Sequence, residues 1–303
     1  MREPDTVAGR QDEDRQVAPS RRIVRGDGAW PSQLEQLADE VPQALWLRGP
    51  GTLRALALQS VAVVGCRRAT AYGRSLAFDL AAELTELGWV VFSGAAFGID
   101  AAAHRGALEA GGATVAVLAS GVDVASPRGN RDLLDRVAAA GLIVSEMPPG
   151  SVPRRHSFLV RNRLIAALTR GIVVVEAENR SGSLNTARWG VRLGRQIMAA
   201  PGSVYVSQSR GPHAWIATRQ AELVTTAQEV DQQLRSLADG PAEQTVVADL
   251  RLEMALTEGP GGVGEIAARA GLPTEMVTQR LRELAAAGRC RVADGRYWGG
   301  AAH

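Results

Sequence analysis

One phenylalanine lies among four arginines in the segment RRHSFLVRNRLIAAL. The phenylalanine is Phe158, and the arginines are Arg154, Arg155, Arg161 and Arg163. Burying an arginine without a partner is costly, yet the segment runs directly into an apolar stretch. Guanidinium groups can instead bind phosphates, and a partly exposed phenylalanine can stack on an unpaired base. The segment therefore predicts a contact with single-stranded nucleic acid. Its spacing also fits the alternative that Phe158 packs in the core beside solvated arginines.

Two short loops have residue types that suit phosphate groups. Gly65, Cys66 and Arg67 follow the apolar run VAVV and precede a helical pattern. Glycine lets the backbone approach a ligand, and a helix start offers free N–H groups. The same residues also fit an ordinary turn between strand and helix, and they do not form a G-x-G-x-x-G dinucleotide motif.

The second loop holds three small residues in a row before another helical pattern. They are Ser181, Gly182 and Ser183, with Asn185 and Thr186 in the first turn that follows. A helix cap alone explains one serine, whereas an anion nest uses the whole run. This loop is therefore predicted to contact phosphate.

A third segment, FSGAAFGIDAAAH, contains Ser93 and Gly94 in a loop, followed by Asp100 and His104. The last two are four residues apart on a predicted helix, a spacing that an acid–base or metal pair could use. A helix cap by Asp100 beside a surface or packed histidine is the simpler interpretation. The four histidines and two cysteines show no metal or disulfide spacing, so neither a metal nor a cofactor is predicted.

Charge is concentrated in the middle of the chain. The net charge is only +2, and all 34 basic residues are arginines. Residues 151–220 contain eleven arginines and two glutamates, whereas residues 243–303 contain seven arginines and eight acids. The central segment therefore predicts binding to a polyanion.

Elements that alternate between apolar strands and amphipathic helices must position these loops. They run from residue 61 to residue 230 and begin VAVVG, GRSLAFDLAAELTELG and WVVFSG. Such alternation predicts an α/β fold with a doubly wound parallel sheet. Ligands of these sheets bind outside the carboxyl ends of the strands, where the candidate loops are expected to meet.

The remaining segments suggest a modular organisation. Residues 1–26 are predicted to be a disordered leader, 27–232 the α/β core, and 233–244 a linker. Three predicted helices and a hairpin at Asp294–Gly295 indicate a winged helix-turn-helix over residues 245–303. No apolar run has the length of a membrane span, so the expected compartment is a reducing cytoplasm.

Five motifs together resemble the DprA (Smf) family of bacterial DNA-processing proteins. They are VAVVGCRRATAYG, FSGAAFGIDAAAHRGALEAGG, SEMPPG, HSFLVRNRLIAALTRGIVVVEAENRSGSLNTA and APGSV, in that order over about residues 30–230. The resemblance implies an extended Rossmann-like core without catalytic activity. It also implies a homodimer that binds and protects single-stranded DNA and loads RecA recombinase in natural transformation or recombination.

The resemblance assigns DNA contacts to thirteen residues: Gly65, Cys66, Arg67, Ser93, Gly94, Arg155, Phe158, Arg161, Asn162, Arg163, Ser181, Gly182 and Ser183. Three positions depart from the family pattern. Cys66 replaces the usual serine, Phe97 stands where arginine or tyrosine is common, and Leu159 replaces the usual proline. Each departure is expected to weaken or reshape DNA contact.

Two other functions stay open at this stage. A nucleoside-phosphate hydrolase of the related lysine-decarboxylase-like group would need a catalytic glutamate, and RSGSLNTARWG has no acid at the matching place. A nucleotide-sensing transcriptional regulator would bind duplex DNA through the winged helix. The near balance of charge in residues 243–303 disfavours strong duplex binding.

Overall fold

The computed structural model describes residues 20–235, 251–287 and 289–299. The first range contains a nine-stranded sheet in the order β1-β2-β6-β5-β4-β3-β7-β8-β9. The strands are β1 Arg21–Val24, β2 Ala44–Arg48, β3 Ser60–Val64, β4 Val90–Ser93, β5 Thr114–Leu118, β6 Leu142–Ser145, β7 Gly171–Val174, β8 Gln196–Ala199 and β9 Glu222–Leu223.

The sheet is parallel from β6 to β9, which confirms the predicted parallel-dominated α/β architecture. Its other side is antiparallel, because β2 pairs antiparallel with β6 and β1 pairs antiparallel with β2. The central strands are buried on both faces, as their continuous apolar runs require.

Helices cover both faces of the sheet. They are α1 Leu53–Leu58, α2 Ala71–Glu86, α3 Ile99–Glu109, α4 Arg131–Ala140, α5 Arg155–Leu168, α6 Gly182–Arg192, α7 Arg210–Ala217 and α8 Ala227–Arg235. Three short 3₁₀ segments span Ser32–Glu40, Arg128–Asn130 and Ser207–Ser209. The core beneath α1, α5, α6 and α7 lies on one face, and the cores beneath α2, α3, α4 and α8 lie on the other.

The chain order reverses between β3 and β7, which are neighbours in the sheet. From β3 the chain moves to β4, β5 and β6 on one side, and it returns to β7 on the other side. The loops after β3 and β7 therefore diverge at the carboxyl edge and leave a crevice between them.

The predicted leader of residues 1–26 is wrong at its end. Residues 21–24 form β1, and Ile23 packs into the core with 5% of its surface exposed. Residues 1–19 lie outside the described residues.

The predicted linker of residues 233–244 is also wrong at its start, because residues 233–235 complete α8, where Leu234 is buried. Residues 236–244 lie outside the described ranges.

The C-terminal unit has a core of its own. It consists of α9 over residues 251–257, α10 Val263–Ala270, α11 Thr274–Ala286 and a hairpin of β10 Cys290–Ala293 with β11 Arg296–Gly299. Asp294 and Gly295 both have positive φ, at 51° and 72°, as the predicted two-residue hairpin turn requires. Among the described residues, no helix is long and apolar enough to cross a membrane.

A fully buried arginine joins the C-terminal unit to the core. Arg251 donates to Ala270 O at 2.7 Å, to Gly271 O, and to Gly88 O of the core at 3.2 Å. Gly88 precedes β4, and α10 contacts α1, which precedes β3. The C-terminal unit therefore contacts the amino edge of the parallel strands, opposite the crevice.

Replacing Arg251 should destabilise the protein. Arg251→Ala leaves three carbonyl groups without their donor and opens a cavity, so we expect a loss of about 3 kcal/mol in the free energy of unfolding. Denaturant unfolding measures this loss. The exposed Arg291 is the control, and Arg291→Ala should change the value by less than about 0.5 kcal/mol. Equal stabilities of the two variants would contradict the anchoring role.

Candidate nucleic-acid interface

The crevice at the reversal point has a volume of about 650 Å³. The loop after β3, the loop after β7 and the first turns of α5 form its walls. Ten of the thirteen predicted site residues line it: Gly65, Cys66, Arg67, Arg155, Phe158, Arg161, Asn162, Ser181, Gly182 and Ser183. The fold therefore brings together residues that are more than 110 positions apart in the sequence.

A buried carboxylate holds the segment that leads from β3 to α2. Glu176 is buried, and its Oε atoms accept from Thr70 N at 2.9 Å and from Thr70 Oγ1 at 2.5 Å. Thr70 is the N-cap of α2, so a protein carboxylate lies at the positive end of this helix. Gly73 leaves the space for it, since a Cβ there would overlap the carboxylate.

The loop after β3 has fewer free amides than the sequence suggested. Cys66 N donates to Glu176 O at 2.7 Å, and Thr70 N is used by the same residue's carboxylate. Gly98, with a φ of 82°, lets the start of α3 approach the Cys66 and Arg67 carbonyls. Phosphate contact from this loop must therefore come mainly from the exposed Arg67 side chain.

Cys66 contributes a neutral thiol. Burial, and to a smaller extent the nearby Glu176 carboxylate, raise the pKa of Cys66 to about 12. The Sγ atom lies 3.8 Å from Glu176 Oε2. A thiolate nucleophile is therefore not available at neutral pH.

Phe158 lies in the first turn of α5, not in a loop ahead of it. The helix begins at Arg155, directly after Pro153 and Arg154, and therefore includes the whole arginine-flanked part of the segment. Ser157 Oγ accepts from Arg154 N at 3.4 Å and helps to start the helix there. The Phe158 ring is half-buried, and the Arg67 guanidinium carbon lies 4.7 Å from its centroid.

Arg161 is buried beneath the crevice. It donates to Gly94 O at 3.0 Å and to Val117 O, and its guanidinium occupies the space that a side chain at position 94 would need. Burial lowers the pKa of Arg161 to about 10, against the opposing attraction of Asp100. Arg161 is therefore a structural cation at the crevice floor.

Asp100 and His104 belong to the same buried region. The N-cap of α3 is Gly98 instead of the predicted Asp100, whose carboxylate accepts from Ala96 N at 3.3 Å. Burial raises the pKa of Asp100, and Arg161 opposes that effect. His104 is fully buried with Nδ1 2.8 Å from Thr114 Oγ1, and burial lowers the pKa of His104 to about 3. The packed-histidine interpretation is therefore confirmed.

The loop after β7 forms the opposite wall. Ser181 is the N-cap of α6, and its Oγ accepts from Ser183 N at 3.3 Å. Asn162 Nδ2 donates to Gly182 O at 3.1 Å, which ties this loop to α5. Nothing lies within 4 Å of a Cβ built on Gly182, so that side of the loop is open to a ligand.

Three predicted site residues do not line the crevice. Ser93 is buried and donates to Val63 O at 2.7 Å, and Gly94 lies beneath Arg161. Arg163 is buried and binds the carboxylate of Glu146 through two nitrogens, at 2.8 and 2.7 Å. The predicted phosphate contact of Arg163 is therefore wrong, because its guanidinium is already paired.

Sequence reasoning also missed Arg180 and misjudged Phe97. Arg180 is exposed and lines the crevice directly before Ser181. Its place in the arginine-rich central segment could have identified it. Phe97 is 48% exposed and lies against Gly129, outside the crevice lining, whereas Leu159 lines the crevice and is 46% exposed.

The resulting surface is electropositive at its rim. Arg67, Arg155 and Arg180 are exposed there, whereas Asp100 and Glu176 are buried and Glu178 is the one nearby acid that is exposed. Within the described ranges, no cluster of three or more His, Cys, Asp or Glu side chains could hold a metal ion. The crevice offers cations, hydroxyl groups and one half-buried aromatic ring to a ligand.

Comparisons with known proteins identify relatives of this chain. The family model of DNA recombination-mediator protein A matches residues 21–235. A putative DNA processing protein DprA from Mycobacterium tuberculosis is 44% identical over 266 residues, which cover 84% of this chain and 68% of that protein.

Two solved structures are similar in fold and sequence. The X-ray structure of DNA processing protein A from Streptococcus pneumoniae has a TM-score of 0.65 and 39% identity, covering 71% of this chain and 74% of that one. DNA processing protein A from Helicobacter pylori, whose structure is described for its single-stranded DNA binding mode, has a TM-score of 0.63 and 28% identity. It covers 73% of this chain and 96% of that one.

Replacing Arg163 tests whether this arginine stabilises the fold through Glu146 or is available to bind a ligand. Arg163→Ala removes a buried cation from a partly exposed carboxylate, so we expect a loss on the order of 2 kcal/mol in unfolding free energy. Arg188 on α6 is exposed and provides the control, with Arg188→Ala expected to be nearly neutral. A neutral Arg163→Ala would show that the pair does not stabilise the fold.

Proposed function

We propose that this chain, which belongs to the DNA recombination-mediator protein A family, binds single-stranded DNA in the crevice between β3 and β7. One observation carries the proposal. The half-buried Phe158 ring lies in an electropositive crevice with an exposed arginine across its face. An aromatic ring beside phosphate-binding cations is the combination that single strands need.

Phe158 is proposed to stack on one base of the strand. In the DNA-free protein, the Arg67 guanidinium covers a face of the ring at 4.7 Å. Arg67 is exposed, so its long side chain is free to move from the ring to an adjacent phosphate. The base then takes the ring face that Arg67 leaves.

Phosphates are proposed to follow the rim of the crevice. Arg155 lies at the start of α5, and Arg180 lies at the start of the Ser181–Ser183 loop. The positive end of α5 adds to the field of both arginines. The start of α2 is excluded as a phosphate site, since the Glu176 carboxylate already binds there.

The wider role follows from the family. The related protein from Helicobacter pylori is described as a single-stranded DNA binder, and the related chain from Streptococcus pneumoniae as a DNA processing protein. We extend this to the present chain as a protein that protects incoming strands and loads RecA recombinase in transformation or recombination. A homodimer and RecA are the proposed partners.

A non-enzymatic role is part of the proposal. Glu176 is committed to Thr70, and Asp100 is buried against Ala96 and Arg161. Neither carboxylate is placed as a general acid or base for a nucleotide in the crevice. Release of free base from nucleoside monophosphates would overturn this part and favour the hydrolase alternative.

The C-terminal unit is proposed to be a winged helix with a secondary role. Its three helices and hairpin have the composition of that module. On α11, Arg280 pairs with Glu283, which reduces the charge available to a duplex. Tighter binding to duplex than to single-stranded oligonucleotides would favour the regulator alternative instead. The proposed domain boundaries are a core that begins at β1 and a C-terminal unit that includes α9 to β11.

The Phe158 ring and the rim arginines should differ in their response to salt. Phe158→Ala should weaken binding of a single-stranded oligonucleotide by about 1–3 kcal/mol and leave the slope of log affinity against log salt nearly unchanged, because stacking is uncharged. Arg180→Ala should flatten that slope by about 0.7, the contribution of one phosphate. Titrations at several salt concentrations measure both effects.

The thermal stability of the free Phe158→Ala variant is the control for this comparison. A large fall in melting temperature, with normal affinity in the folded fraction, would show that Phe158 is a core residue. A wild-type slope near zero would contradict phosphate-led binding altogether.

Deleting residues 241–303 should leave most single-strand affinity intact. The crevice lies at the opposite edge of the sheet from the contacts of Arg251, so we expect the affinity to fall by less than about tenfold, or 1.4 kcal/mol. The same titration measures the truncated and full chains. Loss of all binding in a folded truncated core would make the C-terminal unit the main site.

A further inference from the structure

A second groove lies beside the crevice on the same edge of the sheet. Its volume is about 560 Å³, and Tyr72, Pro201, Gly202 and Val206 contribute to its mainly apolar lining. Glu176 links the surroundings of the two cavities. It lines the second groove, while its backbone oxygen accepts from Cys66 N in the wall of the first.

The rim of this groove exposes two aromatic rings. Tyr205 is 96% exposed and Tyr72 is 51% exposed, beside Val204 at 73%. The Tyr72 hydroxyl donates to Pro201 O at 2.9 Å, which holds the ring against the groove. A cluster of exposed rings and apolar side chains of this kind marks a contact surface.

The loop that carries Tyr205 is hydrogen-bonded to both loops that form the crevice. Gln208 Nε2 donates to Arg68 O at 3.1 Å, next to Arg67 of the first wall. Ser207 Oγ donates to Glu178 Oε1 at 3.3 Å, and Ala177 N donates to Gln208 O at 2.7 Å, in the segment that leads to the second wall. The two grooves are therefore parts of one continuous surface.

The charges around the second groove suit the same ligand as the crevice. Arg68, Arg180 and Arg210 are exposed along this part of the edge, against one exposed acid, Glu178. Rings that alternate with exposed arginines favour a single strand over a protein partner, because bases stack on the rings while arginines bind the phosphates.

We propose that a strand leaving the crevice continues across this second groove and stacks bases on Tyr205 and Tyr72. This inference rests on the proposed function, since it extends the same binding path. It gives the protein a binding site longer than the crevice and places Tyr205 as a contact for the part of the strand beyond Phe158.

The test is a length series of oligothymidylates titrated against the full chain by fluorescence anisotropy. Tyr205→Ala should bind the shortest oligonucleotides as tightly as the wild type does, and lose roughly 5- to 100-fold in affinity for longer ones. Tyr205→Phe keeps the ring and should bind all lengths normally. Val191→Ala, at an exposed apolar position on α6, should also bind normally.

Each other outcome overturns the inference in a distinguishable way. Equal affinity of wild type and Tyr205→Ala at every length would show that the strand does not cross the groove, while the crevice proposal stands. Equal affinities at every length, combined with a smaller molecular mass of the Tyr205→Ala variant in solution, would identify a second copy of the chain as the occupant of the second groove. An equal loss of affinity at every oligonucleotide length would show that Tyr205 contacts the same part of the strand as the crevice does. If the wild type binds no oligonucleotide, the proposed function fails together with this inference.

Discussion

The Glu176 carboxylate at the amino end of α2 is the interaction on which the site depends. It fills the place where a doubly wound sheet commonly binds a phosphate, and it bonds Thr70 through both backbone and side chain. This joins the loop after β3 to the end of β7. Burial raises the pKa of the Cys66 thiol and the Glu176 carboxylate adds to that effect, so the thiol stays protonated at neutral pH. With the start of α2 occupied, the exposed arginines and the Ser181–Ser183 loop are the groups that the crevice offers to phosphates.

Burial divides the arginines of the central segment into two kinds. Arg161 and Arg163 are buried and are satisfied by carbonyl groups or by Glu146, so they hold α5 against the sheet. Arg155 and Arg180 remain exposed around the crevice, where the exposed Arg67 of the loop after β3 joins them. The buried arginines position the ring of Phe158, and the exposed ones supply the positive field around it. A segment that seems uniformly basic in the sequence thus performs two physical tasks.

Much of this could be predicted from the sequence, because apolar strand runs and glycine-ended turns are local signals. They identified the parallel core, the hairpin at Asp294–Gly295 and the loops that meet at the crevice. The predictions were wrong where tertiary contacts determine the structure. Glu146 lies 17 positions before Arg163 and pairs with its guanidinium, and residues 21–24 form a strand by pairing with β2. Glu176 capping α2 depends on a partner 106 positions distant, which no local pattern reveals.

A base of single-stranded DNA is proposed to stack on Phe158 in the crevice. Photocrosslinking measures this contact, with an oligonucleotide that contains a photoreactive thymidine analogue and with mass spectrometry of the cross-linked peptides. The principal adduct should fall on the peptide containing Phe158, and Phe158→Ala should remove it. Adducts confined to residues 251–299, with none at α5, would show that the strand binds the C-terminal unit instead.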